Sequence, residues 1–336
     1  MVDSLSITAG TLSPSVLDLD LEAEAQRIAG RMRDIVRRVH KRGLVVAMSG
    51  GIDSSVCAAL AVRALGPGKV FGLLLPERDS ADDSTRRGEL LTRHLGIQHR
   101  CENIAPALEA IGCYRWRDEA IRRVFSGYGP GWKNKIVIRG GIEGRLNHFH
   151  LIVQSPDGDE LEKRLGLSEY LQIVAATNYK QRVRKAIEYF HADRMNYAVV
   201  GTPNRLEYDQ GFFVKNGDGS ADLKPIAHLY KTQVYSMARH LGLPDAVCDA
   251  TPTTDTYSLP QGQDEFYFAL PYGQMDLALW AYNHGIAPIE LGHALGISEQ
   301  QARYVYADID AKRRTTAYLH AGPMLIEPVT GLPELA

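Results

Sequence analysis

The segment Ser-Gly-Gly-Ile-Asp-Ser-Ser at 49–55 is the part of this sequence whose residue types and order point most directly to chemistry. It follows the apolar run 44–48 and opens a stretch of helical character, so it lies where a strand passes into a helix. Glycine lets the backbone approach a ligand closely, and the N–H groups at a helix start attract an anion. The segment therefore predicts a cradle for phosphate or pyrophosphate, with a serine-capped helix after a tight turn as the alternative.

A second segment, 211–222, has the composition of a binding loop. Three glycines alternate there with charged and polar residues, which argues against a core element. Phe213 would offer an aromatic face to a flat ring, although a place in the core is the other interpretation of this residue.

Strand–helix alternation must position these residues. The runs 44–48 and 70–75 are short and continuously apolar, as in strands buried on both faces, and 98–104 and 197–201 predict two further strands. Helices are predicted at 21–41, 53–65, 85–95 and 171–191. The pattern indicates an α/β fold with a doubly wound parallel sheet, whose ligands bind where the strands end.

Three regions depart from this alternation. Residues 1–20 are rich in Ser, Thr and Pro and predict a flexible tail, which leaves 21–336 as one domain. Residues 112–166 contain two strand-like runs and a Pro-Asp-Gly turn, and predict an inserted hairpin-like excursion on the sheet. Residues 286–320 predict a helical pair.

Composition excludes several classes of protein. The 336 residues carry 38 Lys and Arg against 40 Asp and Glu, a net charge of −2, so we expect no non-specific nucleic-acid binding. No apolar run approaches the roughly 18 residues of a membrane span, and the N-terminus shows no signal-peptide pattern. Four scattered cysteines without a CxxC pair predict neither a zinc site nor disulfides, and favour the cytoplasm.

The 49–55 segment resembles the signature of the ATP pyrophosphatases, the PP-loop enzymes, and within them the chain is similar to the NAD synthetases. The similarity runs from about residue 35 to the C-terminus, outside most of the insertion, through 72–76, 178–184, 201–207, 211–222, 229–233 and 252–255. It implies a sheet of the adenine-nucleotide α-hydrolase-like type. It also implies that ATP adenylates the carboxylate of nicotinic acid adenine dinucleotide (deamido-NAD), releasing pyrophosphate, and that ammonia then displaces AMP to give NAD.

The resemblance assigns roles to particular residues. It makes Asp53 and Glu207 the Mg²⁺ ligands and places Lys231 on an ATP phosphate. It puts Asp218 and Asp222 near the amidation centre, where one of them could orient ammonium and accept its proton, so the catalytic set is Asp53, Lys231, Asp218 and Asp222. The implied ATP site comprises Ser49, Gly50, Gly51, Asp53, Ser54, Ser55, Leu73, Leu75, Thr202, Lys231 and Thr253. The implied dinucleotide site comprises Asn178, Arg182, Phe213, Lys215, Asp222 and Asp255.

The family also implies a homodimer, with the dinucleotide contacting the neighbouring subunit. Only 48 residues precede the glycine-rich turn, so we expect no glutaminase domain there and either free ammonia or a separate glutaminase as the nitrogen source. Pro203 departs from the family's usual residue and removes a backbone donor. The sequence also departs from the family in the insertion and in the aromatic segment 257–272. Together these differences bear more on which substrate is bound than on which type of reaction is catalysed.

Four other interpretations remain open at this stage. The chain could be a paralogue that amidates another carboxylate by the same chemistry, or a tRNA-thiolating PP-loop enzyme, which the missing cysteine pair disfavours. It could be a non-catalytic nucleotide sensor, since 289–303 resembles a helix-turn-helix, although that region carries few basic residues. His148 and His150 share one strand face but have no third metal ligand nearby in the sequence.

Overall fold

The computed structural model describes residues 12–139, 148–250, 257–260, 262, 267 and 270–331. Its strands are β1 (Leu44–Ala47), β2 (Val70–Leu74), β3 (Gln98–Cys101), β4 (Lys133–Arg139), β5 (His148–Gln154), β6 (Glu160–Arg164) and β7 (Ala198–Val200). Its first helices are α1 (Leu21–Arg38), α2 (Ile52–Leu65), α3 (Asp82–Leu95), α4 (Ala105–Ala110), α5 (Cys113–Val124) and α6 (Leu167–Met195). The later helices are α7 (Arg205–Gln210), α8 (Lys231–His240), α9 (Asp245–Cys248), α10 (Tyr272–Asn283), α11 (Pro288–Leu295) and α12 (Glu299–His320).

The central sheet is parallel and has the strand order β3-β2-β1-β7. Val45 of β1 lies level with Phe71 of β2 and Val199 of β7. The strands β2 and β7, which come before and after the inserted region in the chain, therefore flank β1. The predicted α/β fold with a doubly wound parallel sheet is confirmed.

Helices cover both faces of this sheet. Leu44 and Val46 pack into one apolar cluster with α1, α2 and α8. Val45 and Val199 point the other way, because successive side chains of a strand alternate, and they pack with α4, α5 and α6. Burial on both faces explains why these strands read as continuous apolar runs rather than as alternating ones.

The inserted region differs from its prediction in two respects. The strands β4, β5 and β6 form a separate antiparallel sheet, which has one strand more than the predicted hairpin. The beginning of the predicted excursion is helix α5, which packs along α6. The strand β6 was missed because all of its side chains are exposed, so it carries no apolar alternation.

Residues 12–17 and the helices α11 and α12 pack against the main body. Leu12 and Leu17 are buried, and the Leu17 carbonyl accepts a hydrogen bond from Gln233 Nε2 at 2.8 Å, so this part of the expected tail is held in place. The helices α11 and α12 lie within the region where the helical pair was predicted. Across the described ranges, the model contains no helix with the length and apolar content that crossing a bilayer requires.

Candidate active site

The turn between β1 and α2 brings the backbone into an anion-binding conformation. Gly50 has a φ of +75°, and a Cβ there would lie 2.2 Å from the Ser84 carbonyl oxygen, so only glycine fits. Gly51 is the N-cap of α2 and supplies no side chain to its first N–H groups. The start of α2 therefore keeps both its dipole and its backbone donors directed at this turn.

The serines of the turn divide between shaping it and facing outwards. The Oγ atoms of Ser54 and Ser55 donate to the Gly51 carbonyl at 3.0 and 2.8 Å, and Ser49 Oγ accepts from Gly51 N at 3.3 Å. Ser49 is exposed, whereas Ser55 is fully buried beneath the turn. Ser55 thus supports the cradle from behind.

Asp53 lies in the first turn of α2 and is held by two side chains from distant elements. Lys231, 1% exposed, donates its Nζ to Asp53 Oδ2, and Asn204 Nδ2 donates to Asp53 Oδ1 at 3.1 Å. Burial tends to lower the pKa of Lys231, but the charges of Asp53 and Glu207 outweigh it and raise that pKa. The ammonium therefore stays charged between the two acids.

Glu207 is the second buried acid at this point. It closes a capping box at the start of α7, where its Oε2 accepts from Asn204 N at 3.1 Å and its own N donates to Asn204 Oδ1 at 3.2 Å. Burial, reinforced by the negative charge of Asp53, raises the pKa of Glu207 to about 8. Asp53 and Glu207 thus both lie near the ammonium of Lys231. A hard cation beside the two acids would relieve the repulsion that remains between their carboxylates.

Asp276 fixes Lys231 from the opposite side. Its two carboxylate oxygens accept from the backbone N–H groups of Lys231 and Thr232 at 3.2 and 2.7 Å, which caps the start of α8. Burial raises the pKa of Asp276 to about 6. Sequence reasoning missed this residue because α10, which carries it, is remote from α8 in the chain.

Asp53, Glu207, Lys231 and the glycine-rich turn border one cavity of about 710 Å³. The predicted site residues that line it are Ser49, Gly50, Gly51, Asp53, Ser54, Leu73, Leu75, Asn178, Arg182, Thr202, Glu207, Phe213, Lys215, Asp218 and Lys231. Ser55 and Asp222 are not among the lining residues. Thr253 and Asp255 lie outside the described residues.

Asp222 holds the backbone and does not face the cavity. Its Oδ2 accepts from Val199 N at 2.7 Å, and its Oδ1 accepts from the Tyr189 hydroxyl at 3.4 Å. The neighbouring Leu223 forms a parallel bridge with Val200, which turns the Asp222 carboxylate back towards β7. Within one chain, the structure therefore separates Asp222 from the other residues predicted to be catalytic.

The backbone carbonyls of Leu73 and Leu75, two residues of the implied ATP site, already accept hydrogen bonds within the protein. The Leu73 carbonyl accepts from Met48 N at 2.7 Å, and the Leu75 carbonyl accepts from Arg184 Nε at 3.3 Å. Thr202 follows β7 and is half-buried at the cavity wall.

The loop 211–222 presents Phe213 and Lys215 against α12. Phe213 lies parallel to Tyr208 with 6.2 Å between ring centroids and meets His320 edge-on at 5.1 Å. A Cβ on Gly219 would lie 2.4 Å from the Phe213 ring, so a glycine is required there. Lys215 Nζ donates to the Tyr318 and Ala321 carbonyls at 2.6 and 2.9 Å, which ties the loop to the end of α12.

Asp218 lies in a buried polar group that sequence reasoning only partly found. Its Oδ1 accepts from Val214 N at 2.7 Å, and burial raises its pKa. Lys185 and Glu188 of α6 line the same cavity and pair at 2.6 Å, and burial also raises the pKa of Glu188. The signal for these two residues was the polar spacing 178, 181, 185 and 188, which places four polar side chains on one helix face.

Arginine side chains add positive charge at the cavity wall. Arg182 is exposed and donates its Nε to the Lys215 carbonyl at 3.3 Å, so it joins α6 to the loop that carries Phe213. Arg87 of α3 donates its Nε to the Gly50 carbonyl at 3.1 Å and was not predicted. Both place a cationic group where phosphates of a ligand could reach it.

Comparison with known proteins places this geometry in a family. The family model described as NAD synthase matches residues 24–123 and 159–315. An NH(3)-dependent NAD(+) synthetase of Rhizobium meliloti (strain 1021) is 55% identical over 318 residues, which covers 94% of this chain and 95% of that protein.

Solved structures share the fold. An NMN synthetase from Francisella tularensis has a TM-score of 0.64 at 21% identity, with 92% of this chain and 99% of that chain covered. An NH3-dependent NAD synthetase from Campylobacter jejuni, solved with a nitrate ion, has a TM-score of 0.61 at 19% identity and covers 92% of this chain and 100% of its own. The segment 124–158 of this chain, which the family model leaves unmatched, contains β4 and β5.

Proposed function

The chain belongs to the NAD synthase family, and we propose on that premise that it forms NAD from deamido-NAD, ATP and ammonia, with AMP and pyrophosphate as the other products. It is a ligase that makes a C–N bond. The observation that carries the proposal is the convergence of Asp53, Lys231 and Glu207 on the cavity at the glycine-rich turn.

The activation step follows from the charges at this point. A carboxylate becomes electrophilic only when one of its oxygens can leave, and transfer of an adenylyl group provides that leaving group. The helix start at Gly51 and the ammonium of Lys231 would neutralise the charge that grows on the departing pyrophosphate. Ser49, which is exposed at the cavity wall, would add a hydroxyl donor.

Asp53 and Glu207 are the residues that would hold Mg²⁺. Their oxygens suit a hard cation, and the pKa of Glu207 is raised first by burial and then by the negative charge of Asp53, which a cation between the two acids would offset. Two protein carboxylates together with substrate phosphates form a common ligand set for this ion. When bound, it would stabilise charge on the phosphates of ATP.

We assign the amidation half of the reaction to the polar group at Asp218. Phe213 would support the pyridine ring, and Asp218 with Glu188 would attract ammonium and accept its proton. Burial raises the pKa of both acids, which makes each a stronger base than an exposed carboxylate. We propose free ammonia or a separate glutaminase as the nitrogen source. Cys57 would be a poor nucleophile for releasing ammonia from glutamine, because it is buried in α2 and burial raises the pKa of its thiol.

A paralogue acting on a different carboxylate is the less favoured alternative. The relative at 55% identity over nearly the whole chain bears the name of the NAD-forming enzyme, which favours deamido-NAD. A sensor without turnover is disfavoured, because both buried acids and Lys231 meet at the cavity.

We propose that the enzyme is a homodimer that associates through α6. Leu167, Leu171, Tyr179 and Phe190 are 73%, 54%, 37% and 61% exposed, and their spacing of four, eight and eleven residues places them along one helix face. Burying such a stripe against its copy would remove it from water, and would bring Asn178 and Arg182 close to the neighbouring subunit.

A substitution within this stripe tests the dimer. We expect Leu171→Glu to convert a dimer to monomers in sedimentation velocity at micromolar concentration, because a charge at a buried apolar contact is costly. Tyr304 is an exposed side chain of α12, so Tyr304→Glu is the matched control and should leave the sedimentation coefficient unchanged. A wild-type protein that sediments as a monomer would contradict the proposal.

The function itself is tested by following NAD and AMP together with purified protein, ATP, Mg²⁺, ammonium and deamido-NAD. We expect one AMP for each NAD. Hydrolysis of ATP without NAD would exclude deamido-NAD as the substrate.

A further inference from the structure

One end of the cavity is walled by the inserted sheet and is apolar. Ile138 of β4 and its strand partner Phe149 of β5 line it there, together with Tyr170 and Val174 of α6. The rings of Phe149 and Tyr170 stack with centroids 4.0 Å apart and an interplanar angle of 19°. These residues form what we term the aromatic wall.

The aromatic wall is firmly supported from behind. Ile136, Leu151 and Val153 of the inserted sheet are buried against Ile173 of α6 in a single cluster, and Phe149, Tyr170 and Val174 pack on it. Ile138 and Phe149 belong to strands that lie in the segment that the family model leaves unmatched, whereas Tyr170 and Val174 lie in the matched part. The wall therefore joins residues of the common fold to residues of the inserted sheet.

Thr177 supplies a polar atom beside the wall. It is 6% exposed and lines the cavity one turn after Val174, and its Oγ1 has no hydrogen-bond partner among the residues that the structure describes. A buried hydroxyl without a partner is unfavourable, so a ligand that hydrogen-bonds to it gains affinity by relieving that cost.

The cavity face of α6 changes its chemistry in a regular order. Tyr170 and Val174 come first, then the hydroxyl and amide groups of Thr177, Asn178 and Gln181, and then the cations of Arg182, Arg184 and Lys185. From 170 to 188 the helix rises about 27 Å, enough for two nucleosides joined through a pyrophosphate. The order of apolar ring, hydroxyl or amide, and cation matches the base, ribose and phosphates of a nucleotide.

We propose that the aromatic wall and Thr177 form the subsite for the adenine base of deamido-NAD. Phe149 and Tyr170 receive the flat base, Thr177 hydrogen-bonds to the base or its ribose, and the pyrophosphate lies towards Arg182. The inserted sheet is thus a specificity element that favours a dinucleotide over a mononucleotide acceptor. This inference rests on the function proposed above.

The test measures KM for each substrate in Phe149→Ala. Loss of base stacking should raise KM for deamido-NAD about tenfold and leave KM for ATP within about twofold. Phe149→Trp should keep KM for deamido-NAD near the wild-type value, because an aromatic face remains. Tyr304→Ala, which removes an exposed aromatic side chain outside the cavity lining, is the matched control and should behave as the wild type.

A second probe separates the two rings of the dinucleotide. Nicotinic acid mononucleotide lacks adenine, so its inhibition constant against deamido-NAD should be the same in Phe149→Ala and wild type. A parallel rise in that constant would assign the wall to the pyridine ring, and a rise in KM for ATP would assign it to the adenine of ATP. Either result overturns the proposal. Failure of the proposed function is distinct, since the wild type would then make no NAD.

Thr177→Val distinguishes ligand binding from a merely structural role. Removing a buried hydroxyl without a partner should raise the Tm of the free protein, while KM for deamido-NAD rises several-fold. A higher Tm with unchanged KM would show that Thr177 does not contact the dinucleotide.

Discussion

Asp53→Asn should abolish the exchange of pyrophosphate with ATP in the presence of deamido-NAD and Mg²⁺. The substitution keeps the size of the side chain but removes the negative charge that faces Lys231 and Asn204 at the glycine-rich turn. Loss of one preorganised electrostatic group at a reacting phosphate costs about a hundred- to a thousandfold in rate, and we expect the upper end of that range because Lys231 also loses its ion pair. Exchange is measured without ammonium, so it reports activation alone.

Two controls make this result specific to Asp53. Asp34→Asn removes a carboxylate on the outer surface of α1 and should exchange at the wild-type rate. Equilibrium binding of ATP to Asp53→Asn without Mg²⁺ shows whether the cradle is intact. Retained exchange in Asp53→Asn would refute the proposed metal and phosphate role of this residue.

Lys180→Met should destabilise the protein by about 3–5 kcal/mol at pH 7. Lys180 is 1% exposed on the face of α6 that packs on α5, and its Nζ lies 2.8 Å from Glu77 Oε1 and 2.9 Å from Asp79 Oδ2. Arg117 and the Tyr114 hydroxyl complete this buried group around the two acids. Removing the central cation leaves charge buried without its partner, which urea unfolding would measure.

This loss should shrink in acid. Burial alone would raise the pKa of Asp79, but Lys180 and Arg117 outweigh it and lower that pKa to about 2, so in the wild type Asp79 contributes stability above pH 3.8 that is lost as the pH falls towards 2. In Lys180→Met the pKa of Asp79 should be higher than in the wild type, because one of the cations that lower it is gone, so the variant loses less stability than the wild type as the pH falls. We expect a smaller difference at pH 3 than at pH 7. Lys69 lies on the exposed turn before β2, so Lys69→Met should be as stable as the wild type at both pH values.

The same buried group explains how the loop after β2 reaches the cavity. Glu77 and Asp79 anchor this loop to α6, and Ser80 and Ser84 follow them at the cavity wall. Ser84 in turn lies against Gly50, where a Cβ would meet its carbonyl oxygen at 2.2 Å. Stability of the buried ion group and the shape of the phosphate cradle are therefore linked through a few residues.

The sequence by itself determined the features that depend on neighbours in the chain. The glycine-rich turn could be found because Gly50 needs a positive φ, and the parallel sheet because strands buried on both faces are continuously apolar. The first turn of α7 follows the same logic, since Asn204 and Glu207 stand three residues apart and cap each other. Resemblance to the NAD synthetases then extended the list of site residues beyond what spacing could reach.

Only the tertiary structure decided which of those residues meet. Asp53 and Lys231 lie far apart in the chain and form an ion pair because α2 and α8 pack on the same face of the sheet. Asp222 has the same chemistry as Asp218, yet its hydrogen bond to Val199 turns it away from the cavity. The inserted sheet could be located in the sequence, but the contact of Phe149 with Tyr170 could not. Local patterns fix the conformation of each element, whereas the direction of a side chain and its partners depend on packing between elements that the pattern does not encode.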